Sequence, residues 1–169
     1  MSPSPAPAET GSIAIAATLR AAEIAALHAR SDAPAWSVAA WSAQLAQPAV
    51  ACLVHETASR IDGFIALAVA AGEAEVLMIA VDPPHRRRGI AGRLLSAALR
   101  AVRAKGARTC FLEVADDNAP ARALYATHGF REIGRRKGYY ARSGDSVDAL
   151  MLAASLNDMM PPRNMEPDL

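Results

Sequence analysis

The spacing of apolar and polar residues changes several times along the chain, and each change marks an element. A short apolar run at residues 12–16 predicts a first strand. From Leu19 to Leu27 the apolar residues fall on one helical face, which predicts an amphipathic helix. Ser37 stands where an N-cap is expected, ahead of a second helix that carries Trp41 and Leu45 and ends near Pro48. Apolar runs at 50–55 and 64–70 flank the turn-prone residues 59–63 and predict a hairpin. A further strand is expected over 73–81, a helix over 90–105 with Gly106 just past its end, and a buried strand over 109–114. Asn118 can cap a short helix that ends at Gly129, and strands at 130–134 and 147–153 complete the pattern. The order β-α-α-β-β-β-α-β-α-β-β predicts an α/β (α+β) domain, with a single mixed sheet and helices on both faces.

The densest chemistry lies between the strand expected over 73–81 and the helix expected over 90–105. The apolar run Val76 to Val81 is closed by Asp82-Pro83-Pro84, and then comes Arg86-Arg87-Arg88-Gly89-Ile90-Ala91-Gly92-Arg93. A helix start leaves its first N–H groups unpaired and carries the positive end of the dipole. Glycine lets a ligand approach the backbone, and arginine is unfavourable at a positive helix end unless an anion sits there. Basic residues near a helix start are ordinarily a solvated face, but strand, turn, glycines and helix in this order point to a phosphate or pyrophosphate site. No Gly-Lys-Ser/Thr closes the loop, so it is not a Walker loop. With only Gly89 and Gly92 present, it fits a dinucleotide fingerprint badly.

What remains, Arg86-x-x-Gly89-x-Ala91, resembles the pyrophosphate loop of the GNAT acyl-CoA N-acyltransferases. A second block matches the later half of that family's core: Phe111-Leu112-Glu113-Val114, Asn118, Tyr125 and His128-Gly129-Phe130. The resemblance implies a mostly antiparallel sheet in which one parallel pair, residues 73–81 and 109–114, splays apart to receive acyl-CoA. It implies acetyl-CoA as co-substrate, with no metal. The pyrophosphate would lie on Arg86, Arg87, Arg88, Gly89, Ile90 and Ala91, the pantetheine along Met78, Ile79, Ala80 and Val81, and Asn118 would also contact the cofactor.

A thioester is already activated, so transfer to an amine needs a base, an oxyanion site and a proton for the leaving thiolate. Glu113 interrupts an apolar strand, where a carboxylate is costly without a task or partner, and apolar surroundings would favour its neutral form. It reads equally as a structural carboxylate or a strand-end charge. The resemblance assigns it as the base. Tyr125 reads by itself as a half-buried packing residue, and the resemblance makes it the acid that protonates sulfur. Within the family the chain is similar to the RimI-type branch, which acetylates the N-terminal alanine of a ribosomal small-subunit protein. The residues behind this are Ala35-Trp36-Ser37, Phe111-Leu112-Glu113-Val114, Asn118 through Tyr125, and Arg135-Arg136-Lys137-Gly138-Tyr139-Tyr140, with Tyr139 and Tyr140 implied to frame the acceptor. Gly138 replaces a larger residue of that branch and is expected to loosen this segment. The alternatives are a GNAT enzyme acting on a small-molecule amine and a non-catalytic acyl-CoA-binding module.

Composition changes this picture little. The 169 residues, 52% of them hydrophobic, suffice for one core. The reading is a disordered lead-in over 1–10, a GNAT domain over 11–156 and a flexible tail over 157–169. No apolar run is long enough for a bilayer and residues 1–10 do not read as a signal peptide, so a cytoplasmic protein without membrane contact is expected. The net charge of +1, with most Lys and Arg between Arg86 and Arg142, suits a polyanionic cofactor and argues against direct nucleic-acid binding. Cys52 and Cys110 read as buried thiols, and His28, His55, His85 and His128 lack metal-ligand spacing.

Overall fold

The computed structural model describes residues 11–31, 34–58, 60–142 and 144–157. The expected lead-in over 1–10 and all but the first residue of the expected tail over 157–169 lie outside them. Strand β1 (Ser12–Ile15) is followed by a 3-10 turn (Thr18–Arg20), helix α1 (Ala21–Ser31) and helix α2 (Val38–Leu45). Strands β2 (Val50–Thr57), β3 (Arg60–Ala70) and β4 (Glu73–Val81) come next. A second 3-10 turn (Pro83–His85) leads into α3 (Ile90–Ala104), β5 (Thr109–Ala115), α4 (Ala119–Thr127), β6 (Arg131–Arg142) and β7 (Asp145–Ser155). All strands form one seven-stranded sheet in the order β1-β2-β3-β4-β5-β7-β6. Among the described residues, only β4 and β5 are parallel neighbours. This is the mixed, mostly antiparallel sheet that the sequence implies.

Alternation along the strands sends side chains to two cores. Leu53, Ile65 and Leu67 face α3, whose Leu94, Leu95, Ala98, Leu99 and Val102 are fully enclosed. Truncating any of those leucines to alanine costs about 2–5 kcal/mol. Cys52, Val54, Phe64 and Ala66 face the opposite side, where Ile24 and Leu27 of α1 and Trp41 of α2 close the second core. There Trp41 Nε1 donates to His28 Nδ1 at 3.2 Å, so two buried polar groups satisfy each other. The caps are where the sequence places them. Ser37 Oγ accepts from the Ala40 amide, and Asn118 Oδ1 from that of Ala121, each at 3.2 Å.

Two boundaries differ from expectation. The β2–β3 connection is shorter, because β2 runs to Thr57 and β3 begins at Arg60, with Ala58 at φ 48°. The last hairpin is much longer. The basic segment after 134, outside both expected strands, is part of β6, which holds extra residues opposite β7 between Arg136 and Tyr140. Polar, glycine-containing sequence looks like a loop, but a bulged edge strand accommodates it equally well.

A bulge also shapes the centre of the sheet. Ala66 pairs with Met78 and Leu67 with Val76, so Leu77 is an extra residue in β4. Beyond it the alternation is inverted: Ala74 and Val76 belong to the α3 core, whereas Met78 and Ala80 belong to the α1–α2 core. Parallel pairing of β4 with β5 stops just before this point, at Glu75–Phe111. A bulge bends its strand and raises local twist. The last six residues of β4 therefore leave β5, and the sheet opens into a wedge.

Candidate active site

The wedge opens toward the loop that follows β4. Asp82 anchors this loop: almost fully buried, it accepts from Arg30 Nε at 3.1 Å and Arg60 Nη2 at 2.7 Å. Those bonds, Arg30 first, hold its carboxyl below the usual range against the opposing effect of burial. Arg87 then takes φ 64° and Gly89 φ 76°, so the chain alternates hand as it enters α3. Gly89 is the N-cap residue and supplies no side-chain cap, and the first intrahelical bond runs from the Arg93 amide to Gly89 O at 3.0 Å. The amides of the first turn thus remain open as a cluster of donors at the positive end of a 15-residue helix.

Two contacts hold that helix end against the sheet. A Cβ on Gly63 would come within 2.9 Å of Ile90 Cγ2, so only glycine there lets α3 approach β3 this closely. On the flank, Arg93 Nη2 reaches His55 Nε2 at 2.8 Å, and His55 Nδ1 lies 2.9 Å from Asp62 Oδ1. Because arginine can only donate, His55 Nε2 accepts, and its Nδ1–H donates to Asp62. Asp62 also accepts from Thr57 Oγ1 at 2.6 Å. Burial pushes the Asp62 carboxyl up, but the bonds from Thr57 and His55 outweigh it and hold it below the ordinary value.

A groove of about 850 Å³ runs from this loop along β4 to α4. Of the sequence-predicted cofactor residues it collects Ile79, Ala80, Val81, Arg86, Arg87, Gly89, Ile90, Ala91 and Asn118, together with Tyr125. Met78 and Arg88 do not line it. The Arg86 guanidinium donates to Val81 O at 3.1 Å and Ser31 O at 3.0 Å, bracing the loop against the ends of β4 and α1. The groove also holds residues that sequence reasoning missed, chiefly His85, Leu124 and His128. Pairing His128 with Ser96 on α3, at 3.0 Å from Oγ to Nε2, requires the tertiary fold, and no spacing in the sequence announces it.

Tyr125 is 5% exposed, on the side of the sheet that carries α3. Burial, with smaller contributions from nearby Tyr140 and Cys110, pushes its hydroxyl up to about 12, so the phenol keeps its proton at neutral pH. Glu113 lies on the other face. In β5, Cys110, Leu112 and Val114 enter the α3 core, and alternation turns Glu113 away from them. The two candidate catalytic groups are therefore on opposite faces of the sheet, and the groove is lined by Tyr125 but not by Glu113.

The apolar setting expected for Glu113 is not what the structure holds. Its side chain is 28% exposed, and Oε1 is 3.2 Å from Arg136 Nη2 on β6. The Arg136 guanidinium also lies 5.4 Å from the ring centre of Tyr139, which meets Tyr140 edge-on at 5.2 Å. Nor does Gly138 loosen this segment. It takes φ 60°, donates its amide to Asp148 Oδ1 at 2.9 Å and is fastened into the β6 bulge. Arg135 ties the same bulge to Asp116 at 2.7 Å and to Asp148 at 3.3 Å.

Comparison with known proteins agrees with this geometry. The family model described as acetyltransferase (GNAT) family matches residues 16–130. A [ribosomal protein bS18]-alanine N-acetyltransferase of Salmonella typhimurium is 36% identical over 98 residues, 58% of this chain and 66% of that protein. A mycothiol acetyltransferase of Clavibacter michiganensis is 41% identical over 85 residues, 50% of this chain and 28% of that protein. Both alignments span less than two thirds of the relatives' own length. The crystal structure of the ribosomal-protein-S18-alanine N-acetyltransferase from Escherichia coli superposes with a TM-score of 0.83 at 26% identity, covering 93% of this chain and 99% of that one.

Proposed function

Because the chain belongs to the acetyltransferase (GNAT) family, we propose that it transfers acetyl from acetyl-CoA to the N-terminal α-amine of a protein, with the N-terminal alanine of a ribosomal small-subunit protein as acceptor. The observation that carries this reading is the wedge between β4 and β5, with an amide-lined helix start and a protonated tyrosine on one face and a carboxylate paired with Arg136 on the other.

The residues divide the work as follows. The open amides at Gly89 to Ala91, with the charge of Arg87 and Arg88, take the pyrophosphate. Arg86 shapes the loop. The freed edge of β4 at Met78 to Val81 offers backbone groups to the pantetheine amides, and Asn118 caps α4 beside them. Glu113 accepts a proton from the acceptor ammonium, and the freed nitrogen attacks the thioester carbonyl. The C–N bond forms, the C–S bond breaks and Tyr125 gives its proton to the departing sulfur; the second proton lost by the acylated nitrogen restores the Tyr125 hydroxyl, and Glu113 releases the first to water. The products are the N-acetylated chain and CoA with its thiol restored. An α-ammonium titrates near 8, a lysine side chain near 10.4, so the same carboxylate frees an α-amine far more readily. Tyr139, whose ring centre lies 5.4 Å from the Arg136 guanidinium that pairs with Glu113, and Tyr140, edge-on to it, form the wall along which an extended N-terminus lies.

The test is CoA release from acetyl-CoA with a synthetic peptide carrying the N-terminus of the ribosomal small-subunit protein, beside Glu113→Gln. Turnover on the α-amine that falls by about 100-fold or more in the variant is the expected result. A second reading, a small-molecule amine as acceptor, draws on the likeness to the mycothiol acetyltransferase. Clear acetyl-CoA binding with no peptide turnover would favour it.

A further inference from the structure

Resting on the reading of Glu113 as the acceptor-side base, we infer that Arg136 is a built-in competitor for the acceptor. Without acceptor its guanidinium occupies the cation seat at Glu113, and the incoming α-ammonium displaces it.

Three features of the pair support this. First, the contact is long: Nη2 lies 3.2 Å from Oε1, beyond the roughly 2.7–2.9 Å of a strong charge-assisted bond. Second, the guanidinium is easily released, because the Arg136 side chain is 53% exposed and a pair of this kind is weak in water. Third, it has somewhere to remain. The face of Tyr139 lies 5.4 Å away and holds a cation without help from Glu113. The neighbouring Arg135 is a contrast. It is fixed by Glu132, Asp116 and Asp148 together and belongs to the scaffold of the bulge.

The chemistry of the acceptor fits the exchange. An α-amine arrives largely as an ammonium at neutral pH. Replacing a guanidinium with an ammonium leaves the charge at Glu113 balanced at each stage, so neither a bare carboxylate nor an uncompensated cation is created. The seat then serves first to dock the acceptor and next to take its proton. A neutral acceptor group gains no such exchange, so Arg136 also selects for cationic acceptors.

The experiment is calorimetric titration of the CoA-bound protein with an N-terminal alanine peptide, for wild type, Arg136→Met, Arg131→Met and Glu113→Gln, followed by steady-state kinetics. Arg131 is exposed on the same strand and controls for net charge. The expected result is a peptide Kd and KM about two- to fivefold lower in Arg136→Met, the range of a weak exposed pair, with kcat retained and Arg131→Met unchanged. Combined with Glu113→Gln, the Arg136 substitution should bring no gain. Peptide binding to wild type without tightening in Arg136→Met overturns the inference alone. A fall in kcat at constant KM does the same, since it would make Arg136 a positioning residue. Absence of peptide binding to every protein removes the acceptor reading, and the inference with it.

Discussion

Arg93 on the first turn of α3 donates to Nε2 of His55, a β2 residue that is 1% exposed, across 2.8 Å. The bond turns the last arginine of the loop motif away from the groove and ties the helix that carries the anion-binding amides to the sheet. It also fixes the His55 tautomer, and through it the donor to Asp62.

The two ends of this chain differ in cost. Arg93 is exposed and its guanidinium can be rehydrated, so Arg93→Ala should cost less than about 1 kcal/mol. His55→Ala removes a buried ring and takes a donor from buried Asp62, which should cost about 2–3 kcal/mol. Urea unfolding of both variants measures the difference, and equal losses would place the weight on the helix anchor instead.

Asp62 and Asp82 both titrate below an ordinary carboxylate when folded. A depressed folded value means that stability is present in full above the unfolded value, near 3.9, and is lost as pH falls through the folded one. Asp82→Asn should therefore lower stability at pH 7 and flatten its dependence on pH below about 4, with the variant and wild-type curves converging at low pH. Denaturant midpoints from pH 7 to pH 2 give the comparison.

Tyr125→Phe should lower kcat by about 100-fold or more with little change in the acetyl-CoA Kd, since only a proton donor is removed. The wild-type hydroxyl is held up to about 12, so no basic fall in rate through pH 10 should belong to this residue. Rates between pH 6 and 10 for both proteins test this, and a loss confined to KM would count against the acid role.

Gly138→Ala meets two obstacles: φ is 60°, and the new Cβ would lie 3.0 Å from Ser146 Oγ. The left-handed conformation costs about 1–2 kcal/mol for an L-residue, and relieving it shifts Tyr139 next door. Stability should fall by that amount and acceptor KM should rise, with the acetyl-CoA Kd unchanged. Thermal unfolding and the two separate binding measurements distinguish this from a global loss of fold.

The elements and the loop chemistry were legible in the sequence, because these depend on near neighbours. The period of apolar residues placed β4 at residues 73–81 and α3 from Ile90. Ser37 and Asn118 were legible as caps because capping acts over three residues. The resemblance to the GNAT family rested on the same local signals, and the splayed parallel pair came with it. What only the tertiary structure decided are the relationships across the sheet. The extra residue Leu77 inverts the facing of β4, yet an apolar run with one residue more reads no differently from a regular strand. Glu113 stands in an apolar stretch of sequence, but its partner is Arg136, 23 positions later on a strand two places away in the sheet. Arg86 and Arg93 look alike within one basic motif. One braces the loop on backbone carbonyls and the other anchors the helix on a buried histidine, because neighbouring strands and helices, not neighbouring residues, supply the acceptors.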